Sequence, residues 1–502
     1  MQKNSPFREK NAILVVGALC MLTLSAFSQK EGNVWCFPDS CGISFNGSSA
    51  PSTFTTSIGQ SPNGSPLGNQ STISDSSGNL FCYAAATDYS FSGLYVYNRN
   101  HQVMPNGSLL NGHANFICLL LPYPDHDSLI CLFQMGHIGS TQYYPLYFSV
   151  INKNLQSGLG DVILRDSLLY YQDLSGNKLT AVRHGNGRDW WIVVYDRTPG
   201  DYVLFLLTPS GLSFHGTQMI GYNGDSLYFG KIVFSNDGSK LLAVAPFGII
   251  DVFDFDRCTG TISNYRDIGE HLSTQEYQYF SPAFSPNGNL IYVSSFNLKK
   301  VLYQWDLQAP NIAASKTLIH EYLDTGLVQW NTYGCHNLGP DGKIYIPVSS
   351  AYQGPNINNT YTQNLDVIEY PDSAGLACHY VSRAFSLGGH FVGGDLPNMP
   401  NYFLGRDTGS TCDSLSAVIS LEGENRRIEL YPNPTNGLFS IKLNDANDRI
   451  ATLSIFNAYG QLILNATKRS TYDISNRPPG IYFIQIFTYH RKGYVARIVK
   501  TE

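Results

Sequence analysis

A turn followed by an apolar strand recurs about every fifty residues through the middle of the chain. The turns are centred on Gly78, Asp127, Gly187, Gly238, Gly288 and Gly342, and successive centres are 49, 60, 51, 50 and 54 residues apart. A short strand precedes each turn, and a third strand follows after a loop, as FSNDGSKLLAV and FSPNGNLIYV illustrate. Asn-Gly and Asp-Gly adopt the positive φ of tight hairpins. The repeat therefore predicts short antiparallel sheets in succession.

Sheets that recur at this spacing are typical of the blades of a β-propeller. One such sheet cannot cover both of its own faces, whereas sheets stacked around a ring bury them. Six repeats are evident, and the next turn falls near Gly393. We expect an all-β propeller over residues 33–405 with seven blades, the N-terminal strands completing the seventh together with the segment near Gly393. Six or eight blades are the alternatives.

The same strands also resemble a known class of repeat. FSNDGSKLLAV with DFDRCTG, and FSPNGNLIYV with YQWDL, are similar to the WD40-like and YVTN-like propeller repeats of bacterial surface proteins. The Trp-Asp dipeptide occurs once, at Trp305-Asp306, and the Gly-His that usually precedes a WD40 blade is missing. This resemblance implies the fold alone, because propellers host enzymes, binding proteins and scaffolds alike.

The last 75 residues, Ile428–Glu502, differ in pattern from the repeats. Phrases such as IELYPNPTNGLFSIKL and GIYFIQIF alternate apolar and polar residues, with Gly, Pro, Asn or Asp between them. Alternation with period two is typical of half-buried antiparallel strands. We expect a small β-sandwich over residues 428–502, joined to the propeller by a polar linker over residues 406–427.

This tail closely resembles the type A C-terminal sorting domain of the type IX secretion system of Bacteroidetes-type bacteria. The matching positions are Tyr431, Pro432, Asn433, Pro434, Gly437, Asn457, Gly460, Pro479, Gly480, Ile481, Tyr482, Arg497 and Lys500. Arg477 departs from the pattern, since an apolar residue is usual there. The resemblance implies that the tail is an export address recognised by the type IX machinery, and that it is removed at the outer membrane.

The N-terminus predicts a secretory signal peptide over residues 1–28. Lys3, Arg8 and Lys10 precede an apolar run that ends in small residues, and cleavage is expected between Ser28 and Gln29. The run is short for a membrane span, and no stop-transfer pattern follows it. An uncleaved anchor is the alternative. We expect no transmembrane segment in the mature chain.

Composition excludes some partners. The formal net charge is −6, and the charges are dispersed, so a nucleic-acid partner has no basic footprint. Charged residues make up only 14% and aromatic residues 13% of the chain, which also contains 46 glycines. Such a composition favours an all-β secreted protein with a neutral polar surface.

Two Cys-His pairs raise the questions of a zinc site and of a disulfide. Cys335-His336 and Cys378-His379 lie in one repeat. A zinc site from these four is disfavoured because neighbours on a strand point to opposite faces. A disulfide between Cys335 and Cys378 is possible in an exported protein, and two buried thiols are the alternative. We predict no metal site and no cofactor.

No catalytic motif is apparent either. The sequence contains no G-x-S-x-G, HExxH or Gly-rich phosphate loop. Aromatic clusters such as Trp190-Trp191 could bind sugars or peptides, but packing between blades explains most of them. We therefore predict no catalytic residues and favour recognition or adhesion, with an unknown glycan or protein ligand. The alternatives are a hydrolase of extracellular glycan or peptide at the propeller mouth, and a structural component of the surface layer.

Overall fold

The computed structural model describes the chain as an almost entirely β structure. The described residues are 30–37, 40–47, 50–58, 70–86, 93–112, 117–136, 144–198, 200–222, 230–272, 278–296, 299–323, 331–350, 360–392, 394–413, 428–443, 449–457, 462–466, 471–488 and 493–501. The signal peptide, its cleavage site at Ser28 and Gln29, and Gly460 lie outside these ranges. The expectation of an all-β fold is confirmed.

The described residues before 428 form seven antiparallel sheets, here called sheets 1–7. Sheet 1 contains β1 (Val34–Phe37), β2 (Cys41–Ser44) and β3 (Ser52–Thr55). Sheet 2 contains β4 (Gln70–Ser74), β5 (Leu80–Ala86) and β6 (Leu94–Asn98). Sheet 3 contains β7 (Cys118–Pro122), β8 (Leu129–Met135), β9 (Leu146–Asn152) and β10 (Asp161–Tyr170). Sheet 4 contains β11 (Leu174–Arg183), β12 (Trp190–Asp196), β13 (Asp201–Thr208) and β14 (Gly211–Gln218).

The remaining three sheets of this region continue the same order. Sheet 5 contains β15 (Ile232–Phe234), β16 (Lys240–Ala245), β17 (Ile249–Asp256) and β18 (Thr261–Asp267). Sheet 6 contains β19 (Gln278–Phe284), β20 (Leu290–Phe296), β21 (Lys300–Asp306) and β22 (Thr317–Tyr322). Sheet 7 contains β23 (Asn331–Tyr333), β24 (Asn337–Leu338), β25 (Ile344–Ser350), β26 (Asn364–Ile368) and β27 (Tyr380–Ser386). Short 3-10 turns occupy Gln156–Gly158, Ala313–Ser315 and Gly375–Cys378.

The turns found in the sequence join the first two long strands of most sheets. In sheet 5, the amide of Gly238 donates to the carbonyl of Ser235 over 2.8 Å, which closes the turn between β15 and β16. Gly238 has a φ of +72°, and a Cβ there would lie 2.6 Å from Cγ2 of Val182. Only glycine fits both the conformation and the close approach to sheet 4.

Apolar side chains join each sheet to the next and close the ring. Alternate residues of one strand face opposite neighbours: Trp190 packs toward sheet 3, whereas Trp191 packs toward sheet 5. On β1, Trp35 packs against Tyr345 of sheet 7, whereas Val34 packs against Tyr83 of sheet 2. Sheet 1 therefore lies between the last sheet and the second, and the architecture is a β-propeller, as the repeat predicted.

Closure of the ring differs in one detail from the sequence prediction. Within the described residues, the strands of sheet 1 form backbone strand pairs only with one another, so the C-terminal segment does not add a strand to this sheet. Residues 394–413, here called the channel segment, instead run along the axis of the ring. The Asn398 side chain donates to the carbonyls of Cys118 and Leu179, over 3.0 and 3.2 Å, and the Tyr402 hydroxyl donates to Leu120 over 2.7 Å.

A disulfide fixes the end of the channel segment. Cys412 is bonded to Cys258, 154 residues earlier, and their Cα atoms are 5.5 Å apart. The nearby Arg257 guanidinium donates to the carbonyl of Gly405. Residues 406–413, the first part of the predicted linker of residues 406–427, are therefore bound to the propeller, and residues 414–427 lie outside the described ranges.

Of the two alternatives for Cys335 and Cys378, the structure contains the two buried thiols and not the disulfide. Both are buried thiols without a disulfide partner. Cys335 lies beside the channel segment, where its amide donates to the carboxylate of Asp395 over 3.1 Å. Cys378 instead belongs to the apolar core between sheets 6 and 7. The two cysteines share a repeat in sequence but occupy different environments in the ring.

The tail forms a separate β-sandwich with its own core. Its three-stranded sheet contains β28 (Ile428–Tyr431), β29 (Leu438–Leu443) and β32 (Tyr472–Asp473). Its four-stranded sheet contains β30 (Ile450–Asn457), β31 (Leu462–Ala466), β33 (Gly480–Thr488) and β34 (Gly493–Lys500). Phe439 from the first sheet and Ile484 from the second belong to one buried cluster. The small sandwich expected after the propeller is confirmed.

Candidate functional site

A cleft of about 700 Å³ opens at one mouth of the propeller axis, and we call it the mouth cleft. The turns of sheets 5, 6 and 7 form one side, at Asn236, Pro286 and residues 339–342, and the beginning of sheet 1 forms another. Residues 399–401 and 403–405 of the channel segment form its inner wall. The Gly-containing turns of the repeat therefore gather at this end of the ring.

Aromatic side chains line the walls of the mouth cleft. The rings of Trp35 and Phe45 lie 4.7 Å apart, and the Trp35 indole nitrogen donates to the Gly32 carbonyl over 3.2 Å. Tyr345 packs edge-on against Trp35 from behind. Phe403 on the channel segment is 43% exposed, so its ring is accessible from the cleft. These contacts hold the aromatic wall in place before any ligand arrives.

A narrow cavity of about 80 Å³ adjoins the mouth cleft toward the ring axis, and we call it the inner cavity. His336 lines both spaces and is only 4% exposed. Its Nε2 is 2.7 Å from the Ser294 hydroxyl, whereas its Nδ1 has no hydrogen-bond partner among the described residues. Burial lowers the pKa of His336 to about 3, so the imidazole is neutral at ordinary pH.

Lys231 also lines the inner cavity and is 8% exposed. Burial alone lowers the pKa of Lys231, but the neighbouring Cys335 and Asp395 outweigh that effect and its pKa is raised. Burial raises the pKa of the Cys335 thiol well above its ordinary range, so the thiol is neutral. The Asp395 carboxylate therefore supplies the charge that balances the Lys231 ammonium.

The charges around the mouth cleft are also balanced. Lys30 and Asp341 line its rim. Asp341 accepts a hydrogen bond of 2.7 Å from the Tyr345 hydroxyl, and it is the one acidic residue among the described residues lining the cleft. No group of three His, Cys, Asp or Glu that could hold a metal ion occurs in the described ranges. The site thus offers aromatic faces and a few polar groups without a strong net charge.

The aromatic pair named from the sequence, Trp190-Trp191, lies elsewhere. Both side chains are buried between sheets, so the packing interpretation is confirmed for them. Sequence patterns gave no sign that Trp35, Phe45 and Phe403 line one cleft. A usable signal existed only in the turns, because turns at equivalent positions of successive blades share one end of a propeller.

In the sorting domain, the Tyr-Pro-Asn-Pro motif attaches the first strand to the last. The Asn433 amide nitrogen donates to the Arg497 carbonyl over 2.9 Å, and the Val499 amide donates back to Asn433 Oδ1 over 3.0 Å. Tyr431 is 80% exposed, and Pro432 and Pro434 are exposed beside it. The motif therefore combines an internal latch with an exposed turn.

The remaining residues of the sorting motif lie at the same end of the sandwich. A Cβ at Gly437 would lie 2.4 Å from Cα of Ser475, so this turn needs glycine. The Tyr482 hydroxyl donates to the Pro478 carbonyl over 2.7 Å, just before the exposed Pro479. Gly480 pairs with Lys500 across β33 and β34. These positions lie together on one end of the sandwich, although 69 residues separate Tyr431 from Lys500.

The comparisons with known proteins identify this region. Residues 429–501 match the family described as the secretion system C-terminal sorting domain. The tail is thus a type IX sorting domain, and the protein is a secreted or cell-surface protein. None of the helices in the described part of the chain is long and apolar enough to cross a membrane.

Solved structures resemble the chain as a fold. A putative 6-phosphogluconolactonase from Bacteroides fragilis NCTC 9343 is 10% identical, with a TM-score of 0.44, over 74% of this chain and 98% of that one. The Dos1 propeller is 10% identical, with a TM-score of 0.42, over 72% and 85%. The β-propeller domain of Cps50 (Swd1) from Myceliophteria thermophila is 12% identical, with a TM-score of 0.34, over 61% and 81%. No curated protein sequence matches the chain.

Proposed function

We propose that this protein is a recognition or adhesion protein whose ligand binds in the mouth cleft. The observation that carries the proposal is the shape and lining of that cleft. Its volume of about 700 Å³ lies in the usual range for ligand sites, and it combines aromatic walls with a few fixed polar groups. The accessible Phe403 ring is the kind of side chain that dominates binding energy.

Export places this cleft outside the cell. In this proposal, the signal peptide of residues 1–28 directs the chain to the periplasm, with cleavage between Ser28 and Gln29. The sorting domain then engages the type IX machinery and is removed at the outer membrane, after which the propeller is attached to the surface or released. Mass spectrometry of surface protein should accordingly find no peptides that contain Lys500.

A binding screen with the whole purified chain tests the recognition proposal. We expect retention of at least one ligand from oligosaccharide and peptide panels, without release of products. Phe403→Ala should weaken retention at least 10-fold. Tyr171→Ala is the matched control, because Tyr171 is also 43% exposed but does not line the cleft.

The same screen addresses the alternative of a hydrolase. Reproducible product release that Asp341→Asn abolishes would replace recognition with hydrolysis at the same cleft. Absence of binding to every panel member, or binding that Phe403→Ala leaves unchanged, would contradict the proposed site.

A further inference from the structure

Two nitrogen-bearing side chains, His336 and Lys231, line the inner cavity. His336 Nδ1 has no partner among the described residues, although the side chain is almost completely buried. Leaving a buried polar atom unpaired costs about 1–3 kcal/mol, so such an atom is normally satisfied by water or a ligand. Lys231, which lines the same cavity, brings further N–H donors.

The donor and acceptor properties of His336 Nδ1 and the Lys231 ammonium determine which chemical group can enter the inner cavity. A hydroxyl both donates and accepts, so it can pair with Nδ1 in either imidazole tautomer while accepting from Lys231. An ammonium has no acceptor and would be repelled by the Lys231 charge. A carboxylate has no proton to donate, and it would pair with Nδ1 in only one tautomer.

The charged side chains around the two cavities are paired, which also favours an uncharged ligand. Asp395 neutralises Lys231 at the inner cavity, and Asp341 offsets Lys30 at the rim of the mouth cleft. No excess positive charge is left to recover the desolvation cost of an anionic ligand. Uncharged ligands lose the least hydration on entering such a site.

The aromatic walls of the mouth cleft favour a ligand that has a flat apolar face. Phe45 and Phe403 line the mouth cleft beside the amide side chains of Asn337 and Asn401, and the buried Trp35 packs behind Phe45. Sugar rings present an apolar C–H face to aromatic rings and hydroxyl groups at their edges. The two kinds of lining found here match those two surfaces.

We propose that the mouth cleft binds a neutral glycan, one hydroxyl of which enters the inner cavity and bridges His336 Nδ1 and Lys231 Nζ. This inference rests on the proposed recognition function and names its ligand class. The volume of about 80 Å³ accommodates a hydroxymethyl group or two water molecules, each of which occupies about 30 Å³ in the liquid.

Titration calorimetry with the whole chain tests the ligand class. The probes are neutral tetrasaccharides of glucose and mannose, acidic oligosaccharides of galacturonate and mannuronate, and a panel of uncharged and charged peptides. We expect binding of a neutral tetrasaccharide that Phe403→Ala weakens at least 10-fold. Tyr171→Ala should leave its affinity unchanged.

Monodeoxy analogues of the bound tetrasaccharide locate the hydroxyl. Removal of one hydroxyl should weaken binding to the wild type about 10-fold, since it leaves His336 Nδ1 without a partner. The same analogue should lose little further affinity in His336→Leu, which already lacks the partner. The wild-type series decides the point even where His336→Leu fails to fold.

The outcomes separate the ligand class from the recognition function. Binding of only acidic oligosaccharides or peptides, sensitive to Phe403→Ala, would overturn the neutral glycan and leave recognition in place. A deoxy series without any weakened member would overturn the bridging hydroxyl. Failure of every probe to bind would contradict both proposals.

Discussion

The sorting domain and the mouth cleft assemble their important residues over very different distances in the chain. In the sandwich, Asn433 reaches the backbone at Arg497 and Val499 because strands from the two ends of a 75-residue unit lie side by side. The cleft, in contrast, is lined by Trp35 and Phe403, which come from opposite ends of the propeller sequence. A unit built from local turns carries a readable motif, whereas a site built from the ends of many blades does not.

The largest expected effect is loss of export without loss of propeller stability when the sorting domain is deleted. Deletion of Ile428–Glu502 should abolish surface delivery in a host with the type IX machinery, because the export address is lost. The melting temperature of the propeller should stay the same, because the two regions have separate apolar cores. Fractionation and immunoblotting measure delivery, with Phe403→Ala as a control that is still exported. Normal surface amounts of the truncated protein would contradict the sorting assignment.

Trp35→Ala tests closure of the ring. Trp35 is 1% exposed and packs between sheets 1 and 7, so its truncation should lower the free energy of unfolding of the propeller by about 3–5 kcal/mol. Denaturant unfolding followed by fluorescence measures the loss. The sandwich transition should not move, and Tyr171→Ala should change stability by less than about 0.5 kcal/mol. A propeller that is indifferent to Trp35→Ala would mean that sheet 1 does not close the ring.

Cys412→Ser tests how firmly the channel segment is held. Loss of the cross-link with Cys258, which closes a loop of 154 residues, should lower propeller stability by about 2–4 kcal/mol. Reduction of the wild type should reproduce the effect, whereas Cys378→Ser should not respond to reductant beyond the wild type. Equal stability of oxidised and reduced wild-type protein would refute this role.

The pH dependence of stability should also distinguish the regions. The folded pKa of His336, about 3, lies below its unfolded value, so its contribution is complete above about pH 6.5 and is lost as the pH falls. Between pH 6.5 and 4.5 the propeller should lose about 2–3 kcal/mol through this residue. His336→Leu should remove this contribution to the pH dependence of the free energy of unfolding. The same pH dependence in the wild type and in His336→Leu would show that the imidazole takes up protons in the folded state.

The smallest effect concerns the latch of the sandwich. Asn433→Ala should lower the stability of the sandwich by about 1–2 kcal/mol, because two backbone groups of β34 lose their partner. Tyr431→Ala is the matched control, since this 80% exposed side chain should contribute less than about 0.5 kcal/mol. Calorimetry of the whole chain resolves the two units. A shift of the propeller transition instead would mean that the latch acts across the two regions.

Much of the fold could be predicted because it depends on local chemistry. Turns such as the one at Gly238 require positive φ, and the strands beside them alternate in pattern, so each sheet is visible in a window of a few tens of residues. The same reasoning left two alternatives open for Cys335 and Cys378, a disulfide or two buried thiols, and they are buried thiols. Shared position in one repeat says nothing about which side of a strand faces which neighbour, and the disulfide forms instead between Cys258 and Cys412.

The sequence by itself determined the strands, the propeller class, the sandwich and the sorting motif, because period-two alternation and turn residues act over short distances. Only the tertiary structure decided the course of residues 394–413 through the ring, the bond from Cys258 to Cys412, and the meeting of Trp35, Phe403 and His336 at one mouth. Those contacts depend on how the sheets stack and where the ring closes. Such long-range geometry is fixed by packing between blades, which no local pattern encodes.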